Sequence, residues 1–292
     1  MAIEQHGEQT LQANPTRSLR QGIGLWLDLL KFAWARGGPL KDSIRLFYYT
    51  GPKLSLVARG WTKHSLDRIL SFGIKATPDI RFQVYARDNG LDVGTIAEFF
   101  APDSKIVPVD LPPLRPKVVY DLGANIGIAS LRFATLYPDA RFYGFEPVLS
   151  NHEVCALNYQ NLPKARAFPW AVGSRTEMTA FECNEDPRGG HLQATPINPH
   201  LQRRKQINVQ VYSIADLVRV QKLEPPEFLK IDVEGAELEV LKGMGDVADS
   251  VKRMFVETHG ASLKADCVKW MQEHGFQIRP ASYSEAVWGD RA

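Results

Sequence analysis

From residue 118 onward, short apolar runs alternate with longer segments whose apolar positions recur every three or four residues. The short runs predict strands at 118–122, 141–145, 165–172, 177–183, 206–212, 228–231 and 252–256, with a last one near 275–279. The periodic segments predict helices at 126–136, 150–160, from Ser213, at 236–242 and at 262–274. Strands alternating with helices build an α/β fold of the doubly wound kind, a largely parallel sheet covered on both faces. In such sheets ligands gather at the carboxyl ends of the strands, here after residues 122, 145, 172, 231 and 256.

The pattern ahead of this unit differs. Ile80, Phe82 and Val84 alternate with polar neighbours, so 79–88 predicts a half-buried strand, and the Pro-rich stretch 108–117 marks a joint. In 22–38, Gly24, Asp28, Lys31 and Ala35 share one helical face while Ile23, Trp26, Leu27, Leu30 and Trp34 lie elsewhere. This predicts a mostly apolar helix ended by Gly37 and Gly38. Residues 39–75 also read as helical, with Ser65 as an N-cap. The first 20 residues or so are polar, patternless and expected to be disordered. The expected division is a helical N-terminal extension, 1–75, and a main domain, 76–292. The helix over 22–36 would pack on the main domain, join two copies as a homodimer, cap the substrate, or lie on a membrane surface.

Composition narrows this picture. With 44% hydrophobic residues in 292, the chain can bury a full core. It contains no apolar stretch of membrane-spanning length and no secretory order at its start, so a cytoplasmic location is expected. Cys155, Cys183 and Cys267 are odd in number and far apart, which argues against a disulfide framework or a thiolate metal cluster. The net charge of +2 hides 11 Lys/Arg against 5 Asp/Glu in the first 75 residues, too dilute an excess for nucleic acid.

The first strand-to-helix turn, Gly123-Ala124-Asn125-Ile126-Gly127-Ile128, carries the most chemistry. A dinucleotide fingerprint has glycine where Asn125 and Ile128 stand. Asp121 would also repel a pyrophosphate. An acid followed by Gly-x-Asn-x-Gly suits a ligand bringing positive charge, and S-adenosylmethionine does so with an ammonium and a sulfonium. Glu146 closes the next strand, where an acid accepts both hydroxyls of a ribose. Trp170 and Ala171, at the end of the third strand, stand where an adenine would lie, although Trp170 also suits a core.

A second constellation lies at later strand ends. "KIDVEGAE" delivers Asp232 and then Glu234, and "FVETH" delivers Glu257 and His259. Such a group can remove a proton from an acceptor, contact the acceptor, hold Mg²⁺, or support its own turns. His259 is the first candidate base, with Asp232 as the alternative; Glu234 and Glu237 flank a helix start, where acids also serve as caps. The long Pro/Gly-rich segment 184–205 offers Arg188, His191, Arg203 and Arg204 to a polar or anionic acceptor.

"VVYDLGANIG", "FYGFEP", "FLKIDVEGAELEVLKGM" and "FVETH" stand in the order and spacing of the FkbM-family methyltransferases, which this chain resembles over roughly residues 80–280. "YARDNGLDVGTIAEFF" resembles that family's lead-in segment, with Arg87 and Asp92 at the matching places. The resemblance implies a Rossmann-like class I methyltransferase with a seven-stranded sheet. It also implies methyl transfer from S-adenosylmethionine to a hydroxyl of a saccharide or natural product. N-methylation, an NAD-dependent oxidoreductase and a non-catalytic cofactor-binding scaffold stand as alternatives.

Overall fold

The strands predicted at 118–122, 141–145, 228–231, 252–256 and near 275–279, with the first half of 165–172, join the expected sheet. The computed structural model describes residues 31–37, 40–50, 52–53, 65–101, 104, 106–107, 111–184, 190–192, 204–281 and 285–291. A helical turn over 31–36 leads to helix α1 (Leu40–Thr50) and a hairpin of β1 (Ser65–Lys75) and β2 (Arg81–Asp88), followed by α2 (Gly90–Phe100). The main unit then runs β3 (Val118–Leu122), α3 (Ile128–Ala134), β4 (Arg141–Phe145), α4 (Leu149–Tyr159), β5 (Ala165–Phe168) and β6 (Ala171–Gly173). After β7 (Glu177–Asn184), β8 (Gly190–Leu192) and β9 (Arg204–Ser213) come α5 (Ile214–Arg219), β10 (Phe228–Ile231) and α6 (Glu237–Lys242). A 3₁₀ turn at Gly245–Ser250 precedes β11 (Arg253–Glu257), α7 (Ala261–Glu273), β12 (Gln277–Pro280) and β13 (Ala286–Asp290).

Seven strands form the central sheet in the order β12-β13-β11-β10-β3-β4-β5. β13 runs antiparallel to both its neighbours, β11 and β12, while the pairings from β11 to β5 are parallel. Strands β3, β4 and β10 are buried along nearly their whole length, as parallel strands covered on both faces must be. Two aliphatic and aromatic clusters fill the two sides. One joins Phe133, Phe228 and Trp288 to Leu46, Phe72 and Phe100 of the N-terminal elements; the other packs around Tyr120, Leu241 and Met254.

Three expectations needed correction. Residues 65–75 are a strand, not a helix capped by Ser65: Leu70, Phe72 and Ile74 are buried in alternation and pair with β2, so a period of two prevailed. The hairpin thereby crosses the expected boundary at residue 75. In the turn over 31–36, Phe32 and Ala33 are buried whereas Trp34, expected on the packing side, is 70% exposed. The run 165–172 is broken at Pro169, and its second half leaves the central sheet to join β9 in a separate four-stranded sheet, β6-β9-β7-β8. The expected elements over 1–30 lie outside the described residues.

Candidate active site

Strand pairing sets the site. β3 and β10 are in register from Val119 against Phe228 to Leu122 against Ile231, which places the Gly123 turn beside Asp232. The backbone continues that pairing past the strand ends: Asp232 N–H donates to Leu122 O at 3.1 Å, and Gly123 N–H to Phe145 O at 3.0 Å. Gly123 has φ +72°, and a Cβ there would come within 1.8 Å of the Asp232 carbonyl oxygen, so no other residue fits. Gly123→Ala is expected to fail to fold, or to fold with the turn displaced and cofactor affinity lost, as read by thermal melting and calorimetry.

Asn125 stands at φ 49°, a left-handed conformation that asparagine tolerates far better than most side chains. Asparagine therefore serves where the dinucleotide pattern has glycine. Its amide N–H donates to Glu146 Oε2 at 2.9 Å, and its own Oδ1 is buried without a hydrogen-bond partner.

Glu146 directly follows β4 and is almost fully buried. Its Oε1 accepts from Val148 N–H at 2.9 Å and from Asn151 Nδ2 at 3.3 Å. Burial pushes its carboxyl up to about 7, against the pull of these donors. Asn151 is fixed in turn by Arg87, whose Nη2 donates to its Oδ1 at 2.8 Å, and Arg87 is held by Asp92 through Nε at 2.9 Å and Nη2 at 3.0 Å. The lead-in segment thus reaches the acid at the second strand tip through a chain of buried polar contacts.

Around these residues lies an open cleft of about 630 Å³ counting its mouth. Gly123, Asn125 and Glu146 line it on one side, Ala171 and Phe181 on another, and Asp232 and Glu234 on a third. Three residues expected in the cofactor site take other places. Asp121 is fully buried beneath the turn, where Ser130 Oγ donates to its Oδ2 at 2.7 Å and Lys230 Nζ lies 3.1 Å from its Oδ1. Gly127 packs against Cys155 and Tyr159, and Trp170 stacks on Phe168 with ring centroids 4.6 Å apart.

Lys230 was not singled out by the sequence, although a lysine inside the apolar run "FLKI" marks a buried charge. It donates to Gly123 O at 2.7 Å and lies 3.5 Å from Asp232 Oδ2. Burial alone would depress its ammonium, but Asp121 and Asp232 outweigh that and hold it above the ordinary lysine value.

The second constellation does come together. His259 Nδ1 lies 2.8 Å from Glu237 Oε1, and its Nε2 lies 3.4 Å from Glu234 Oε2 and 3.9 Å from Asp232 Oδ1. Glu237 is fully buried, and its Oε1 also accepts from Gly235 N–H at 3.0 Å, so it both caps the turn and orients the imidazole. Burial alone would lower His259; the Glu237 bond and the charges of Glu234, Glu237 and Asp232 raise it to about 9. Glu234 sits at φ 54°, a strained backbone for glutamate of the kind that clusters at functional sites. Burial pushes its carboxyl to about 7; His259 opposes this, and Asp232, Glu237 and Glu257 add to it.

Glu257 ends β11 next to this group. For Glu98 of α2, also missed in the sequence, partial burial raises the carboxyl, Asp232 adds to this and Lys230 opposes it. Asp232, Glu234 and His259 offer ligand atoms within 4.8 Å of one another, but Mg²⁺ prefers oxygen ligands and one of these atoms is an imidazole nitrogen. Arg188 and Arg203 lie outside the described residues. Of His191 and Arg204 only the backbone is described, in β8 and at the start of β9. No described helix is long and apolar enough to cross a membrane.

Known methyltransferases resemble this chain. The chain is 30% identical over 205 residues to Methyltransferase sdnD of Sordaria araneosa, covering 57% of this chain and 75% of that protein. It is 28% identical over 159 residues to the hexuronic acid methyltransferase AglP of Haloferax volcanii, covering 53% and 62%. To the 2-O-methyltransferase NoeI of Sinorhizobium fredii it is 26% identical over 151 residues, covering 48% and 62%. The chain thus spans less than two thirds of AglP and of NoeI. Residues 121–278, which hold the turn, Glu146 and the His259 group, match the model of the methyltransferase FkbM domain, and the chain belongs to that family of methyltransferases.

Proposed function

We propose that the protein transfers a methyl group from S-adenosylmethionine to a hydroxyl of a saccharide or natural-product acceptor. The observation that carries this is the presence, at the carboxyl-end tips of one sheet, of a ribose-type acid after β4 and a histidine after β11 held by a buried carboxylate. The printed names of AglP and NoeI, a hexuronic acid methyltransferase and a 2-O-methyltransferase, point in the same direction.

The cleft fits the cofactor chemically. Asn125 leaves a buried acceptor unpartnered in its wall, Glu146 presents a carboxyl suited to vicinal hydroxyls, and Asp232 and Glu234 supply negative charge for a cation. When bound, S-adenosylmethionine supplies an electrophilic methyl on a positively charged sulfur. Glu146 would hold the ribose, the turn from Gly123 to Asn125 the amino-acid end, and Ala171 and Phe181 the adenine. His259 would take the acceptor's proton at Nε2, while Glu237 stabilises the imidazolium through Nδ1. Positioning of acceptor and donor supplies on the order of 7–11 kcal/mol in reactions of this kind.

Calorimetry with S-adenosylmethionine and S-adenosylhomocysteine tests the first half; absence of binding at millimolar ligand would end the proposal. Transfer of a labelled methyl to a fractionated extract, with identification of the product, tests the second. Glu146→Ala is expected to weaken cofactor binding by about 1–3 kcal/mol, roughly 5- to 150-fold. Because burial holds this carboxyl near 7 and the ionised form accepts hydroxyls, affinity should fall as the pH drops below 7 and stay flat above it. Unchanged affinity in the variant would remove Glu146 from the site.

A further inference from the structure

Helix α1 reverses the usual order of a surface helix. Its inward face carries Asp42 and Ser43 together with Leu46 and Tyr49, all buried. At 3.6 residues per turn, Leu40, Ile44 and Tyr48 fall on the opposite face, where they are 60%, 58% and 38% exposed. Lys41 and Arg45 follow along one flank of that face. The helix is not free to roll and bury its apolar side. Asp42 Oδ2 accepts from Gly73 N–H of β1 at 3.3 Å, and the Arg45 guanidinium lies 5.4 Å from the Phe72 ring centre. Trp34, on the helical turn whose terminal Gly37 lies directly against Ser43, adds a further exposed aromatic.

Charge identifies what such a face would meet. The first 75 residues hold 11 Lys/Arg against 5 Asp/Glu. Among the described side chains nearby, Lys31, Lys41 and Arg68 are exposed while the acid Asp42 is buried. A second copy on a two-fold axis would set Lys41 and Arg45 against their own equivalents. The face is also small for that purpose: 11 helical residues extend about 16 Å, whereas a stable dimer buries roughly 800 Å² per partner. Apolar side chains flanked by cations match the interface of an anionic bilayer, where the former enter the headgroup boundary and the latter meet phosphate. No described helix can cross a membrane, so the contact is one of surface.

We propose that the outward face of α1 docks the protein on an anionic lipid surface. The proposal does not depend on the reaction assigned above. The test is sedimentation of the full chain with phosphatidylcholine vesicles, with and without phosphatidylglycerol. Binding is expected only with phosphatidylglycerol and should weaken as salt rises. The triple variant Leu40→Glu/Ile44→Glu/Tyr48→Glu should lose it, and Lys41→Gln should weaken it by about 5-fold. Because these side chains point outward, the melting temperature should be unchanged, which separates lost docking from lost folding. Equal binding to both vesicles, or wild-type binding by the triple variant, overturns the proposal. So does failure to bind phosphatidylglycerol: with a dimer that the triple variant dissociates, the face belongs to a second copy, and with a monomer it is covered by the chain itself.

Discussion

His259→Gln is expected to lower kcat by about 10²- to 10⁴-fold while leaving cofactor affinity within a few-fold of wild type. Glutamine can still hydrogen-bond to Glu237, so the turn is kept, but it cannot take a proton. In the wild type, kcat/KM should rise with pH and level off near 9, where His259 loses its proton in the free protein. A profile flat between pH 7 and 9.5, or one unaltered by the substitution, would exclude His259 as the base. A stability measurement gives a second readout. The folded value lies above the ordinary 6.5, so the stabilisation is fully present below 6.5 and is lost as pH rises through about 9. Glu234, raised to about 7, acts in the same sense over a lower window: its stability cost grows between 4.5 and 7 as it ionises. Urea midpoints compared at pH 7.5 and 9.5 therefore isolate His259: the wild type should lose stability over that range and His259→Gln should not.

Lys230→Met is expected to cost about 3–5 kcal/mol of stability, because it strips a fully buried carboxylate of its cation. In a chain of this size the melting temperature should drop on the order of 10 °C. The loss is not chiefly one of packing, since methionine nearly matches the lysine stem. Adding Asp121→Asn should recover part of it, and the double-mutant cycle measures the coupling. Lys230 also donates to Gly123 O, so cofactor affinity should fall in the single variant along with stability. A single variant within about 1 kcal/mol of wild type would show that the pair does not hold the turn.

Both predictions concern residues whose roles depend on partners far along the chain. Asp121 read in the sequence as an acid presented to a cationic ligand. Its real neighbour is Lys230, brought there by the parallel pairing of β3 and β10 across more than a hundred residues. His259 was legible as a polar residue at a strand end. Its character as a carboxylate-held imidazole was not, since Glu237 lies on a different element and read equally well as a helix cap. Asn151 reaches the site from a helix that gives no local indication of where its side chain points.

The N-terminal elements show the opposite error. "SLDRIL" satisfies a helix-start pattern, yet Leu70, Phe72 and Ile74 also fit a period of two, and the pairing partner in β2 decided between them. β13 went unread because "AVWGD" is short and apolar without any flanking pattern, and its identity as a strand comes from β11 and β12 on either side.

By itself, then, the sequence determined the alternation of strand and helix, the tight turn at Gly123 and the acid at Glu146. Each follows from local periodicity, backbone sterics and the rule that strand tips face the ligand. Tertiary structure alone decided which charges neutralise one another, which histidine nitrogen lies toward Glu234 and Asp232, and which side of α1 remains apolar toward solvent. Those are properties of pairs of groups, and whether two distant residues meet depends on register and packing that no single segment encodes.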